Sequence, residues 1–388
     1  MSVIARLDEQ LGLPEDERML LASVRDYARN EIAARAAKTD ETAEFPWKNV
    51  EGINALGLNA MFVPEAYGGA GLSYLVYLEC VKEISAACAS TGIIWATNFH
   101  AVKPLIDFGS EEQKHRLLPR IAAGRLAALV ITEADAGSDA TGMRTRFTPD
   151  GDDIVVSGSK SFITNGDVAD LYVVFGKWAE TPDPRTAISC LMLEKGTPGL
   201  TVVRLEDKMG HRGSSTAALS FDDCRVPKAN LLRGPGEGLK LLLASLNKSR
   251  PSVAAHALGI AHAAFEDATA YINGRRQSGK RIVEFQGIQF LLADLASELV
   301  LCQSWLTQVG RLVDAGATDI GIEASILKLR ASDLAMRMTT EAVQLLGGYG
   351  YVKDYRVERL MRDAKITQIW EGTNQIHRQL IGRSFIER

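Results

Sequence analysis

From Pro14 to about Ala36, apolar residues recur at Leu20, Val24, Tyr27, Ala28 and Ile32, the spacing of one helical face. The FPWKNV segment and the loop from Pro64 to Tyr74 divide this region into helices. Leu75 to Phe108 carries apolar or small residues on nearly every face and predicts one or two buried helices. Asp107-Phe-Gly-Ser110 ends that run, and Ser110 with Gln113 forms a capping box for a helix reaching about Gly124. The period then shortens. Leu126 to Thr132 is a short apolar run, Thr148-Pro-Asp-Gly151 is a turn signal, and IVVSG, LYVVFGKW, AISCLML, LTVVRL, ALSF and CRV follow as strands. After Gly234-Pro-Gly-Glu-Gly238 the helical period returns, with Gly287 to Leu312 and Ile322 to Leu346 each long enough for a bundle helix. The order helices, strands, helices excludes a doubly wound sheet. It predicts an α+β multidomain chain with a helical domain over 1–125, a small β barrel or sandwich over 126–234 and a helical bundle over 235–388.

Composition narrows the possibilities. Hydrophobic residues make up 46% and charged residues 24% of 388, which is ordinary for a globular chain. A formal charge of -4 gives no basic field for nucleic acid, so no nucleic-acid partner is expected. No apolar run approaches the length needed to cross a membrane, so no membrane partner is expected either. The N-terminus lacks signal or transit character, and the scattered Cys80, Cys88, Cys190, Cys224 and Cys302 suit a reducing, cytoplasmic setting. The histidines show no metal-ligand spacing, and no metal is expected; His256 and His262 read as structural.

Several stretches carry candidate chemistry. Glu371 follows Ile366, Ile369 and Trp370 and precedes Gly372. A carboxylate between an apolar wall and a bare backbone is disfavoured in its charged form and so becomes a stronger base, while the glycine admits a flat substrate. A loop glutamate before a turn glycine would look the same. Leu129-Val-Ile-Thr132 runs into Glu133-Ala-Asp-Ala-Gly137-Ser138, whose hydroxyls and freed N–H groups suit a polar ring or phosphate, or a plain turn. In Ser161-Phe162-Ile163-Thr164, strand alternation sends Phe162 and Thr164 to one side. Arg275-Arg-Gln277-Ser-Gly279-Lys-Arg281, with Gln286 following, offers arginine forks that suit pyrophosphate, or a solvated basic helix end. Gln344-Leu345-Leu346-Gly347-Gly348 reads as a helix end with its C-cap. No GxGxxG follows a strand and no Walker lysine is present, so nothing supports a Rossmann or P-loop site.

In this order and spacing, ITEADAGSD, SFITNG, KMGHRGSSTA, the Arg275–Gln286 pair, QLLGG and IWEGTNQIHR resemble the acyl-CoA dehydrogenase family over essentially the whole chain. CASTGI and GGYGYV are most similar to its short-chain, butyryl-type branch. The resemblance implies a C-terminal four-helix bundle, a homotetramer, and FAD held without a Rossmann fold. Leu129, Val130, Ile131, Thr132 and Ser138 would line the flavin, with Phe162, Ile163 and Thr164 against its ring. Arg275, Gln286, Gln344, Leu345, Leu346, Gly347 and Gly348 would bind the pyrophosphate and adenosine end across a subunit boundary, completed by Thr373 and Gln375. Ser138, Asn247, Arg250 and Gly372 would contact the acyl-CoA substrate. Glu371 would take the α-proton while the β-hydrogen leaves as hydride to flavin N5, and an electron-transfer flavoprotein would accept the electrons in fatty acid metabolism. Some branches place the base just before an arginine on another helix; here that position is Ser249, which cannot serve, leaving Glu371.

Four residues depart from the family pattern. Trp370 stands for tyrosine, Asn247 for aspartate, Ser278 for phenylalanine and His211 for an aliphatic residue. A reshaped acyl pocket for a cyclic or branched acyl chain is expected from them; a carrier-protein-bound thioester is a separate alternative. A flavin oxidase or monooxygenase on the same fold is the competing class.

Overall fold

The computed structural model describes residues 6–7, 10–181, 183 and 187–386; the outermost ends of the expected first and last domains lie outside them. Pro14 opens helix α1 (Glu15–Tyr27), whose first turn carries Glu15, Asp16 and Glu17 against the helix dipole. A single π turn (Ala28–Ile32) leads on into α2 (Ala33–Thr42), and Pro46 precedes α3 (Trp47–Ala55). The buried run divides into α4 (Tyr74–Ala87) and α5 (Ala89–Phe108), broken where Cys88 turns extended. Ser73 caps α4 and is itself held by Glu17 of α1. The expected capping box of Ser110 and Gln113 is present at the start of α6 (Glu111–Ala122).

The strands are β1 (Ala127–Val130), β2 (Arg146–Asp150), β3 (Asp153–Thr164), β4 (Leu171–Trp178), β5 (Ile188–Glu194), β6 (Leu200–Leu205), β7 (Thr216–Pro227) and β8 (Leu231–Leu232). They form one eight-stranded sheet in the order β6-β7-β3-β2-β4-β5-β8, with β1 parallel to β4. ALSF and CRV belong to the single strand β7, not to two runs. Strand β4 shows why the region reads as continuously apolar. Leu171, Val173 and Phe175 pack against α5 and α6, while Tyr172 and Val174 pack against residues of β3 and β7. Both faces are buried, so the polar half of the usual alternation is missing.

The C-terminal helices are α7 (Gly238–Gly274), α8 (Gln286–Asp314), α9 (Gly321–Leu346), α10 (Val357–Ile366) and α11 (Asn374–Arg383). The short pair β9 (Arg276–Gln277) and β10 (Lys280–Arg281) joins the first two of these. Helix α7 is the spine: its middle packs with α4 and α5 in one core shared by the N- and C-terminal helices. Gly259 permits this approach, because a Cβ there would lie 2.2 Å from the Lys82 carbonyl of α4. Helix α8 is the one candidate membrane span among the described residues. By length and composition it could cross a membrane, although Asp294 and Glu298 interrupt it. Leu295, Leu299, Leu306 and Val309 face the bundle, and the excess apolar character is on the outside, where Phe290 and Leu301 are exposed. The five cysteines are free and buried.

Candidate active site

After α10 the chain folds back on itself, Trp370 N–H donating to Ile366 O at 3.1 Å and Asn374 N–H to Gln368 O at 3.0 Å. This tight return puts two successive residues in the left-handed region, Glu371 at φ +53° and Gly372 at φ +94°. For glutamate that conformation costs about 1–3 kcal/mol, so the surroundings must impose it. Helix α9 does so. Lys328 Nζ, fully buried, donates to Gly372 O at 2.7 Å and to Asn374 Oδ1 at 3.0 Å, and Asn374 Nδ2 is tied to Asp333 at 2.7 Å. Burial pulls the Lys328 pKa down to about 7, against an upward pull from Glu371. The Thr373 hydroxyl caps α11.

Glu371 Oε2 accepts a hydrogen bond of 2.5 Å from Ser249 Oγ on α7. That serine is excluded as a base by its chemistry, yet it is the residue that holds the candidate base. Glu371 also acts electrostatically on Arg250, Lys328, His100 and Tyr77, so groups of α4, α5, α7 and α9 lie within its field. The apolar wall differs from expectation. Ile369 is half exposed, and the wall is Trp370, whose ring meets His211 at 5.2 Å and His256 at 5.6 Å between centroids. His211 and His256 share a 2.7 Å hydrogen bond through their Nε2 atoms, and His256 Nδ1 pairs with Ser85 Oγ at 2.7 Å. Burial drives both histidines to low pKa, His256 to about 3, so both are neutral. Two departures from the family pattern, Trp370 and His211, are thus in contact with each other.

Buried polar atoms without partners gather here. Trp370 Nε1, His100 Nε2 and Arg250 Nε have none among the described residues. Such atoms are few in native structures, and a cluster of them marks where a ligand or ordered water is received. The Glu371 N–H likewise donates to no other group among the described residues.

The second half of the site is built on β3. Lys160 is buried and donates to Ile131 O at 2.7 Å and to Glu133 Oε1 at 2.9 Å; Glu133 also accepts from Thr145 Oγ1 at 2.6 Å. Burial lowers Lys160 to about 8; it would raise Glu133, but Lys160 and Thr145 hold that carboxylate below its ordinary range. This network fastens the two motifs together, and Ser161 N–H donates to Thr132 O at 2.9 Å. Strict alternation does not hold there. The β3–β7 register shifts between Lys160 and Ile163, and Phe162 sits in the bulge at φ +59° with 61% of its surface exposed. Ile163 and Val130 lie in the sheet core and offer only backbone outward, while Leu129, Ile131, Thr132 and Thr164 are half-buried and Ser138 is exposed.

The loop between β6 and β7 ties the halves together. Its Ser215 O accepts from Asn165 N–H at 3.2 Å beside Thr164, and its His211 reaches Trp370. Helix α5 does the same: Asn165 Nδ2 donates to Ile94 O at 3.0 Å, and His100, about 9 Å further along the axis, is among the groups on which Glu371 acts.

Arg275, Gln286, Gln344, Gly347 and Gly348 are exposed, and Arg275 lies 5.7 Å from the centre of the Tyr349 ring, which places it beside the glycine segment. Leu345 and Leu346 are buried in the helical core, so their side chains are not available to a ligand. Gln375 is exposed beside the Glu371 loop, and Asn247 Oδ1 accepts a long 3.5 Å bond from Arg250. Sequence reasoning missed the partnership of Ser249 with Glu371, the Lys328 anchor and His100. Only Ser249 had a signal, its place beside Arg250.

Three family models match the chain: acyl-CoA dehydrogenase N-terminal domain over 14–125, middle domain over 128–224 and C-terminal domain over 236–386. An acyl-CoA dehydrogenase of Bacillus subtilis (strain 168) is 43% identical, the match covering 96% of this chain and 98% of that protein. A cyclohex-1-ene-1-carbonyl-CoA dehydrogenase of Geobacter metallireducens is 41% identical over 96% of this chain and 99% of its own length. Among solved structures, butyryl-CoA dehydrogenase of Megasphaera elsdenii superposes with a TM-score of 0.94 at 37% identity, covering 97% of this chain and 99% of that one. A chain from a structure described as the electron transferring flavoprotein of Acidaminococcus fermentans matches with a TM-score of 0.94 at 40% identity, over 97% and 99% of the two chains.

Proposed function

The chain belongs to the acyl-CoA dehydrogenase family, whose cofactor is FAD, and from that premise we propose that it converts a short acyl-CoA thioester to the 2-enoyl-CoA with Glu371 as the base. The observation that carries this reading is Glu371 itself: a carboxylate in a forced left-handed turn, bonded to Ser249 and ringed by unpartnered buried polar atoms.

The residues present fit FAD. An exposed Phe162 ring on a rigid bulge suits stacking, and Thr132, Thr164 and Ser138 supply hydroxyls beside it. Arg275 and the Gly347–Gly348 backbone would hold the pyrophosphate and adenosine end, with Gln286, Gln344, Thr373 and Gln375 completing it. When bound, FAD supplies the oxidant that takes the β-hydrogen with its electron pair. The chain's own task is the α-proton. Glu371 receives it, and general-base assistance of this kind contributes about 10²–10⁴ in rate. The Glu371 N–H would polarise the thioester carbonyl, which makes the α-proton acidic enough to leave. Ser249 steadies the carboxylate, and Lys328 fixes the backbone that carries it. Asn247, Arg250, Ser138 and Gly372 would meet the acyl-CoA.

Trp370, braced by His211 and His256, supports a reshaped acyl pocket, and the similarity to a dehydrogenase named for a cyclic acyl group favours a cyclic or branched chain over plain butyryl. The exposed apolar face of α8 supports a homotetramer. The similarity to a structure named for an electron transferring flavoprotein supports such a protein as acceptor, and the free thiols support a cytoplasmic location. The test is anaerobic titration of the yellow holoenzyme with acyl thioesters of CoA and of carrier protein. Stoichiometric bleaching by an acyl-CoA is expected. Bleaching by none would remove the dehydrogenase reading, and a clear preference for linear butyryl-CoA would remove the reshaped pocket.

A further inference from the structure

Resting on Glu371 as the base, we infer that the acyl group this enzyme receives carries an uncharged oxygen beyond its reacting carbons, bound by His100 and Trp370. Two buried nitrogens near His256 have no partner among the described residues: Trp370 Nε1 of the catalytic loop, whose ring centre lies 5.6 Å from that of His256, and His100 Nε2 of α5, whose ring acts on His256 electrostatically. Neither can turn to His256, because Ser85 occupies its Nδ1 and His211 its Nε2. The sequence places polar nitrogens there with no internal partner among the described residues. Leaving a donor buried and unpaired costs about 1–3 kcal/mol, which a purely apolar acyl chain would leave unrelieved.

The chemistry of the two groups selects the ligand atom. An indole N–H only donates, so it requires an acceptor. Burial lowers the His100 pKa, so it faces the substrate as a neutral imidazole. His256 is neutral as well. No cation acts on either of them; the charge acting on His100 is the Glu371 carboxylate. A second carboxylate brought there would meet the like charge of Glu371. A hydroxyl, ether or ketone oxygen fits, and an acidic acyl group does not. Arg250 and Lys328 are instead tied to the Asn247 and Gly372 side of the loop.

The test uses isosteric pairs of acyl-CoAs that differ only by the oxygen: hexanoyl against 4-methoxybutanoyl, cyclohexanecarbonyl against oxane-4-carbonyl, and 5-methylhexanoyl against 5-oxohexanoyl. Dissociation constants are measured calorimetrically on Glu371→Gln holoenzyme, which binds without turnover, and each compound is also titrated into wild-type holoenzyme. At least one oxygenated member should bind about tenfold more tightly than its partner. His100→Leu and Trp370→Phe should each narrow that ratio, while His100→Gln, which keeps an N–H, should preserve most of it. If the apolar member of every pair binds as well as or better than its partner, the two nitrogens serve water and the inference is wrong. Bleaching of the wild type by apolar members, together with that result, would leave the dehydrogenase reading standing. Absence of bleaching by any compound would overturn both.

Discussion

The surroundings of Glu371 and those of Arg275 differ in how finished they are. Around Glu371 one chain supplies everything: Ser249 on its carboxylate, Lys328 under its backbone, and Trp370 braced by two neutral histidines. Around Arg275 the same chain stops short. Arg275, Gln286, Gln344 and the two glycines lie exposed, and the Arg275 guanidinium lies over the Tyr349 ring. A base in the role proposed for Glu371 must be preorganised to fractions of an ångström, and a single packed core achieves that. The far end of a cofactor, proposed for Arg275, needs only grip, which a second copy of the chain would complete.

The contrast can be broken from either side. Replacing Arg275 with Ala removes a charged fork from the unfinished half, and FAD should dissociate about 10²-fold more readily, with the loss deepening on dilution. Equilibrium dialysis at two protein concentrations checks this; an unchanged affinity would mean that Arg275 does not hold the cofactor. On the finished side, His256 sharpens the picture through pH. Its folded pKa of about 3 lies below the ordinary value of 6.5, so the unfolded chain binds the extra proton as pH falls through that window. Its contribution is complete above pH 6.5 and lost toward pH 3, by about 2 kcal/mol at pH 5. The stability gap between wild type and His256→Gln should therefore shrink by that amount from pH 7 to pH 5 in denaturant titrations. A smaller effect is expected for Ser249→Ala, about a tenfold slower anaerobic reduction by acyl-CoA as the carboxylate loses its tether, with Ser249→Thr restoring most of it. Stopped-flow absorbance reads both.

How far the chain could be read from its sequence follows from how local each signal is. The Ser110–Gln113 box and the lengths of α8 and α9 depend on neighbours a few residues away, and the structure has them. The order of helices, strands and helices along the chain follows from the change in hydrophobic period. Phe162 was singled out by its motif, but alternation could not foresee that a bulge and a positive φ, not a regular strand, expose it. Trp370 and His211 stood out separately as unusual residues, and only folding shows that one packs on the other. Ser249 is 122 positions from Glu371, so its hydroxyl gave no local sign of the carboxylate it holds. The apolar outer face of α8 was averaged away by its charged interruptions until the helix was seen to leave Phe290 and Leu301 outside.

The central claim is that Glu371 removes the α-proton. Wild-type and Glu371→Gln holoenzymes, each loaded with FAD and mixed anaerobically with the acyl-CoA that bleaches the wild type, test it most directly. The variant should bind the same thioester, seen as a perturbed flavin spectrum, and be reduced about 10³-fold or more slowly. Reduction of the variant at the wild-type rate would contradict the account.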